Sequence, residues 1–262
     1  MLVEERRNQL LELVRAKRFA SLPELVEQLD VSESTVRRDL EYLEEQGSAK
    51  RIHGGVLYAG DSPKIPHFEQ QPARWAEKRM IARAAVELID EGDSILLDGG
   101  STTYEVARLL VGRRLHVVTN SLPVANLFAG NNSSDVVLVG GNICPRTGVM
   151  HGPLATDMIA ALRVRKVMLS VAAINTEGFY NNNLLFVKTE QAMIRAADEA
   201  IIVADSSKFG HRSLTHVCEL GDVTHLVVDD GISDTWRKII KAAGVDLRIG
   251  RQSDNAEGCD RK

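Results

Sequence analysis

The chain has 262 residues, 44% hydrophobic and 26% charged, with a formal net charge of −4. That length predicts two domains, and the composition is that of a globular protein with a real core. No run approaches the roughly 18 apolar residues needed to cross a bilayer, and the acidic balance excludes a wholly basic polyanion binder.

The start, MLVEERRNQL, has no apolar signal-peptide core, so a cytoplasmic protein without membrane attachment is expected. Cys144, Cys218 and Cys259 lie far apart. They suit reduced thiols, since three scattered cysteines form neither a disulfide framework nor a CxxC zinc pair. The seven histidines show no metal-ligand spacing, and neither GxxxxGK[ST] nor GxGxxG occurs. No metal, cofactor or nucleotide site is therefore expected.

Val3, Leu10, Leu11 and Val14 recur at helical spacing over residues 3–17, and a break follows at 16–20. Ser21-Leu-Pro-Glu24 has the S-x-x-E capping-box pattern, with Leu22, Leu25, Val26 and Leu29 as the apolar face of a second helix. After the short turn Asp30-Val31-Ser32, where Val31 plugs the junction, Ser32 caps a third helix. Val36, Leu40 and Leu43 form its inner face, and Gly47 ends it. Two helices joined by so tight a turn predict a helix-turn-helix. The outer face of the third shows Ser34, Thr35, Arg37 and Arg38, short hydroxyls beside guanidiniums suited to base edges and phosphates. Gly54-Gly55 between β-prone pieces predicts a hairpin that carries Lys50, Arg51 and His53 as a basic wing. The first 60 residues hold nine Lys/Arg against eleven Asp/Glu, a net of −2. The positive charge must therefore be sorted onto one face, with Glu41, Glu44 and Glu45 at the far end or far side of the helix.

Residues 59–75, rich in proline at first and closed by Trp75, read as a linker. From Ala76 the pattern becomes α/β. Met80, Ile81, Ala84, Ala85, Leu88 and Ile89 share a helix face that ends near Gly92. Short apolar strands then alternate with amphipathic segments. The strands are expected at 94–98, 115–119, 136–140, 167–172, 200–204, 225–228 and 245–249, and the segments between them include 124–129, 154–162, 190–197 and 234–243. This order predicts a Rossmann-like, largely parallel sheet covered on both faces. The domains are thus expected at 1–58 and 76–250, with a polar, disordered tail over 251–262.

In such sheets ligands bind beyond the carboxyl ends of the strands. Those ends read Asp98-Gly-Gly-Ser-Thr-Thr103, Thr119-Asn-Ser-Leu-Pro123, Gly140-Gly-Asn142 with Arg146 beyond, and Asp205-Ser-Ser-Lys-Phe-Gly210. Glycines permit close backbone approach, and hydroxyls with free N–H groups at helix starts suit an anion. Small polar clusters at four strand ends, two with a nearby cation, fit a small phosphorylated, hydroxyl-rich ligand. The alternative is a phosphosugar isomerase with an accessory helical domain, using Asp98, Asp205 and Lys208. A protein-interaction module is a third reading.

EERRNQLLELV, VSESTVRRDLEYLEEQG, RIHGGV, LDGGSTTYEVARLL, VVTNSLPVA, GGNICPRTG and ADSSKFG together resemble the DeoR-type bacterial transcriptional regulators over about residues 3–250. The resemblance implies a non-enzymatic repressor of a sugar catabolic operon. Its parts would be an N-terminal winged helix on operator DNA and a C-terminal sensor related in fold to ribose-5-phosphate isomerase and coenzyme A transferases. The effector it implies is a phosphorylated sugar or sugar derivative, and operator symmetry adds a homodimer or homotetramer. By position, Ser34, Thr35, Arg37 and Arg38 match the recognition helix and Lys50, Arg51 and His53 the wing. Asp98, Gly99, Gly100, Ser101, Thr102, Thr103, Asn120, Ser121, Gly141, Arg146, Asp205, Ser206, Ser207 and Lys208 match the ligand loops. One stretch departs. Where the resemblance implies an acidic and a basic residue ahead of a helix reading AMI, this chain has residues 181–191, in which Lys188 and Gln191 are not the usual charges. An anionic ligand and a changed packing edge are two readings of that departure.

Overall fold

A computed structural model of the chain describes residues 3–45, 48–52, 54–58 and 74–251. Gly47, His53, the 59–73 portion of the expected linker and the tail from 252, with Cys259, lie outside the described residues, as does the side chain of Lys50. The chain divides into two compact units, Met1–Lys64 and Ile65–Lys262.

In the first unit α1 (Val3–Lys17) is followed by β1 (Phe19–Ser21), α2 (Leu22–Leu29), α3 (Glu33–Glu45) and the hairpin β2 (Ala49–Ile52) and β3 (Gly55–Tyr58). The break expected at 16–20 thus contains a strand, and the antiparallel sheet has the order β1-β3-β2. The periodicity is realised in the core, where Leu10, Val14, Leu25, Leu29, Val36, Leu40 and Leu43 are buried with Ala20, Ala49 and Val56, and Val31 packs against them. The Glu24 carboxylate accepts from the Ser21 N–H at 3.4 Å, and Ser32 Oγ accepts from the Thr35 N–H at 3.3 Å, so both helix starts are capped as expected. Gly55 is required because a Cβ there would lie 2.5 Å from the Ala20 carbonyl oxygen. Asp39 is buried on α3. It accepts from Arg6 Nε at 2.6 Å and Arg7 Nε at 3.0 Å, an ionic tie between α1 and α3 that hydrophobic periodicity does not reveal.

In the second unit seven parallel strands are β4 (Ser94–Leu97), β5 (His116–Thr119), β6 (Asp135–Leu138), β9 (Val164–Ser170), β12 (Ala197–Val203), β14 (His225–Asp229) and β15 (Asp246–Gly250). They are ordered β15-β14-β12-β9-β4-β5-β6. All seven expected strands are present, within a few residues. Alternate side chains enter opposite cores. Ile95, Leu97, Met168, Ile201, Val203 and Val227 face α4 (Trp75–Val86), α5 (Ser101–Leu110) and α6 (Leu122–Phe128). Leu96, Val167, Leu169, Ile202, Leu226 and Val228 face α7 (Pro153–Ala160), α8 (Leu184–Arg195) and α9 (Asp234–Ala242). Trp75 opens α4 rather than closing a linker.

Two small sheets had no counterpart in the expectation. The hairpin β7 (Asn142–Cys144) and β8 (Val149–His151) follows β6. An antiparallel sheet ordered β10-β11-β13 joins β10 (Ala173–Asn175), β11 (Gly178–Asn181) and β13 (Thr215–Cys218). Both lie in stretches of mixed polarity that have neither clean alternation nor a continuous apolar run. At the amino end of the large sheet the Lys166 ammonium donates to Asp93 at 2.6 Å, the Leu88 carbonyl at 2.7 Å and Asp90 at 3.3 Å. Among the described residues no helix is long and apolar enough to cross a membrane.

Candidate functional site

The third helix α3 and the β2–β3 hairpin flank a groove lined by Leu22, Arg37, Leu40, Glu44, Arg51, Ile52, Gly54 and Gly55. The hydroxyls of Ser34 and Thr35 bond the Ser32 hydroxyl at 2.9 and 2.8 Å, which builds them into the helix start. Arg37 donates twice to Glu33 one turn earlier, at 2.9 and 2.6 Å. Arg51 donates to Glu44 at 2.6 Å and to Glu41 at 2.9 Å. Glu41 and Glu44 were expected away from the basic surface. They instead hold one of its arginines, because β2 runs back beside the second half of α3. Arg38 is exposed and makes no ion pair among the described residues. Exposed pairs such as these are weak, about 0–1 kcal/mol, and a polyanion competes with them readily.

The second site is a cavity of about 230 Å³ at the carboxyl ends of β4 and β9. Four walls enclose it: Asp98, Gly99 and Gly100 after β4; Cys144, Arg146, Thr147 and Val149 of the β7–β8 hairpin; Ser170, Val171 and Ala172 at the end of β9; and Asn181, Asn182, Asn183, Phe186 and Glu190 from β11 into α8. Glycine is needed at 100, where a Cβ would lie 1.7 Å from Ser170 Oγ. At 99 it would lie 2.2 Å from Val149 Cγ2. The two loops therefore approach closely enough to form one rim.

Two carboxyls dominate the interior. Asp98 is 7% exposed and Glu190 4%. Burial pushes the Asp98 carboxyl up to about 6, against the opposing pull of the Gly99, Ser170 and Gly100 N–H groups. Burial and then the Asp98 charge push Glu190 well above the usual carboxylate range, and only the Asn181 amide pulls it back. That amide donates to Glu190 Oε1 at 2.7 Å, while Oε2 is buried without a hydrogen-bond partner. At the rim the Cys144 thiol is lowered, first by its hydrogen bond with Thr147 and then, against burial, by Arg146.

These shifts set a pH dependence. Carboxyls whose folded pKa is raised bind more protons in the folded state, so they favour folding as pH falls toward their unfolded values. The second unit should therefore melt higher at about pH 5.5 than at about pH 7.5. The double variant Asp98→Asn/Glu190→Gln should flatten that difference in a thermal melt read across the range.

Of the expected effector residues, Asp98, Gly99, Gly100 and Arg146 line the cavity. Ser101, Thr102 and Thr103 open α5 behind it, with both threonines buried. Asn120 donates to the Met150 carbonyl at 3.1 Å, Ser121 Oγ accepts from the Val124 N–H at 3.4 Å as a helix cap, and Gly141 sits against the His151 carbonyl. These three shape walls instead of facing the cavity. The Asp205–Lys208 loop is not among its walls. Asp205 accepts from Arg74 at 3.2 Å and from the Ser207 N–H at 3.1 Å, and Asp229 accepts from the Ser206 N–H at 2.6 Å. Lys78 is buried beside this loop. Its ammonium is lowered first by burial and further by Lys208, against Asp205 and Glu105. Glu190, Asn181, Ser170 and Cys144 were missed. The one sequence signal for Glu190 and Asn181 was the departure at 181–191. There Lys188 is exposed, and Gln191 Nε2 donates to the Val217 carbonyl at 3.1 Å. The residue that enters the cavity is Glu190, an acid.

A winged helix joined in one chain to a parallel α/β unit with a polar cavity at its strand ends defines a helix-turn-helix regulator with a C-terminal sensor. Residues 6–61 match the DeoR-like helix-turn-helix domain and residues 74–230 the DeoR C-terminal sensor domain. The chain belongs to the DeoR family of transcriptional regulators. It is 32% identical to an uncharacterised HTH-type transcriptional regulator of Bacillus subtilis (strain 168), over 92% of this chain and 94% of that protein. It is 32% identical to the glycerol-3-phosphate regulon repressor of Escherichia coli (strain K12), over 86% and 90%. The lactose phosphotransferase system repressor of Staphylococcus aureus (strain MRSA252) is 33% identical over 86% and 91%. These relatives are regulators, not enzymes. Ribose-5-phosphate isomerase A from Neisseria gonorrhoeae aligns over 52% of this chain and 53% of its own at a TM-score of 0.38 and 18% identity.

Proposed function

We propose that this protein represses a sugar catabolic operon and is released from its operator by a phosphorylated sugar or sugar derivative bound in the C-terminal unit. The observation that carries the sensor half is the cavity at the strand ends, with buried carboxyls inside and Arg146 at the rim. Asp98, Gly99, Gly100 and Arg146 are its proposed ligand contacts. Ser101–Thr103, Asn120, Ser121 and Gly141 support them, and Ser206–Lys208 with Lys78 form a neighbouring cationic loop. The names of the relatives, a glycerol-3-phosphate regulon repressor and a lactose phosphotransferase system repressor, support the sugar reading. Ser34, Thr35, Arg37, Arg38, Lys50, Arg51 and His53 are the proposed DNA contacts, presented in pairs by a homodimer or homotetramer to a two-fold operator. By linkage, the effector that weakens operator binding is itself bound more weakly by the operator complex, by the same factor.

Two measurements test this. Arg38→Ala is expected to weaken binding to the chain's own upstream DNA by about 1–3 kcal/mol, roughly five- to 150-fold. Arg37→Ala should do less, because Arg37 must leave Glu33 to engage DNA. Unchanged gel-shift affinity in both variants would remove α3 from the role. A thermal-shift screen against sugar phosphates should raise the melting temperature for at least one.

A further inference from the structure

We propose that the ligand of the Asp98–Glu190 cavity carries an amino group, which makes the effector an amino-sugar phosphate in place of an all-hydroxyl sugar phosphate. The inference rests on the sensor reading above and specifies the chemistry of that site.

Two acids from distant parts of the chain, one after β4 and one on α8, are brought to the same cavity and are both more than nine-tenths buried. Asp98 already has the N–H groups of Gly99, Ser170 and Gly100, donors that favour its ionised form. Glu190 has the Asn181 amide on one oxygen, and its second oxygen, Oε2, has no partner. An unpartnered buried carboxyl oxygen in a cavity wall is a vacancy for a donor. Among the described residues lining the cavity Arg146 is the one cation. It is exposed at the rim, so it serves the anionic end of a ligand and leaves the interior acidic. Lys188, the nearby lysine on α8, is exposed as well.

The kind of donor follows from the charge. A hydroxyl fills one lone pair but brings no charge to offset two like charges in one buried site. An ammonium brings three donors and a full positive charge, which lets both carboxyls ionise at once. A divalent cation is a poorer match, since two carboxyls and an amide fall short of the six to eight oxygens calcium takes. Among the described residues no cluster is arranged to hold a metal. Binding an ammonium should expel the proton held by the pair. The other titratable groups facing it are Cys144 and Arg146 at the rim and Cys218 behind Glu190, whose thiol burial pushes up to about 12.

The experiment is isothermal titration calorimetry on the full chain with matched ligands: glucosamine 6-phosphate against glucose 6-phosphate, and galactosamine 6-phosphate against galactose 6-phosphate. In the pair whose ring stereochemistry fits, the amino member should bind at least tenfold tighter. Repeating the titration near neutral pH in buffers of different ionisation enthalpy should show release of close to one proton for the amino member and far less for the hydroxyl member. Glu190→Gln, which keeps an acceptor for Asn181, should reduce the preference to within about threefold and abolish the proton release. If that variant does not fold, the proton count on the unaltered chain decides alone. Equal affinities within both pairs, or N-acetylglucosamine 6-phosphate binding as tightly as glucosamine 6-phosphate, would overturn the inference. If none of these binds but fructose 6-phosphate, ribose 5-phosphate or glycerol 3-phosphate does, the amino group is refuted and the sensor reading stands. If no phosphorylated compound binds, both fall.

Discussion

Replacing Asp93 with alanine should destabilise the C-terminal unit by about 3–5 kcal/mol, the usual cost of leaving one member of a buried ion pair alone. Asp93 precedes β4, and its carboxylate accepts from Lys166 at 2.6 Å, Arg165 at 2.9 Å and the Asp90 N–H at 2.9 Å. Lys166 is 3% exposed. Without Asp93 its ammonium keeps only the Leu88 carbonyl and Asp90, whose side chain is largely in solvent. Urea denaturation followed by tryptophan fluorescence measures the loss. The double variant Asp93→Ala/Lys166→Met should recover much of it, because removing both charges also removes the stranded ammonium. A double variant no more stable than Asp93→Ala would show that packing, not charge, sets the cost. Burial alone would raise the Asp93 carboxyl, but the hydrogen bonds from Lys166 and the Asp90 N–H outweigh it and hold it below the ordinary value. Its contribution is therefore present above about pH 4 and is lost as pH falls through the lower folded value.

Asp39→Ala should cost the winged helix about 2 kcal/mol, less than the Asp93 change because Arg6 and Arg7 reach solvent once released. Their side chains are 16% and 27% exposed. In so small a unit, where total stability is modest, such a loss lowers the fraction folded. Operator affinity should fall with it, although Asp39 is inside the domain. Circular dichroism melts separate the causes. Asp39→Ala should lower both the melting temperature and the affinity, whereas Arg38→Ala should lower the affinity alone. Burial opposes the ionised form of Asp39, but the Arg6 and Arg7 hydrogen bonds prevail and hold the carboxyl low. This tie too is present above about pH 4 and weakens below it.

The elements that periodicity describes were legible in the residues. Val36, Leu40 and Leu43 placed α3, and runs such as Ile95–Leu97 placed the sheet, because burial on one face or two leaves a period in the sequence. Glycines 99 and 100 were legible as a close-approach loop, though Ser170 and Val149 as what approaches them were not. Lys166 and Asp39 were invisible, and Glu190 was signalled only by the departure at 181–191, for a common reason. Each is a charged residue made internal by partners 32 or more positions away or by a cavity wall from another element. A sequence read locally sees only polarity and assigns it to solvent. The β7–β8 hairpin and the β10-β11-β13 sheet failed for another reason, since strands of three or four residues are too short to display a period. Arg51 lies on the β2–β3 hairpin where the wing was expected, but its engagement by Glu41 and Glu44 depends on how the hairpin folds back on α3.

The ionic cluster of Lys166 with Asp93 lies at the amino end of the seven-stranded sheet, and the cavity lies at the carboxyl end. The residues of that ionic cluster and the proposed ligand contacts therefore share no side chains. Substitutions at positions such as 146, 181 and 190 should therefore alter the proposed ligand preference while leaving the Asp93–Lys166 cluster in place.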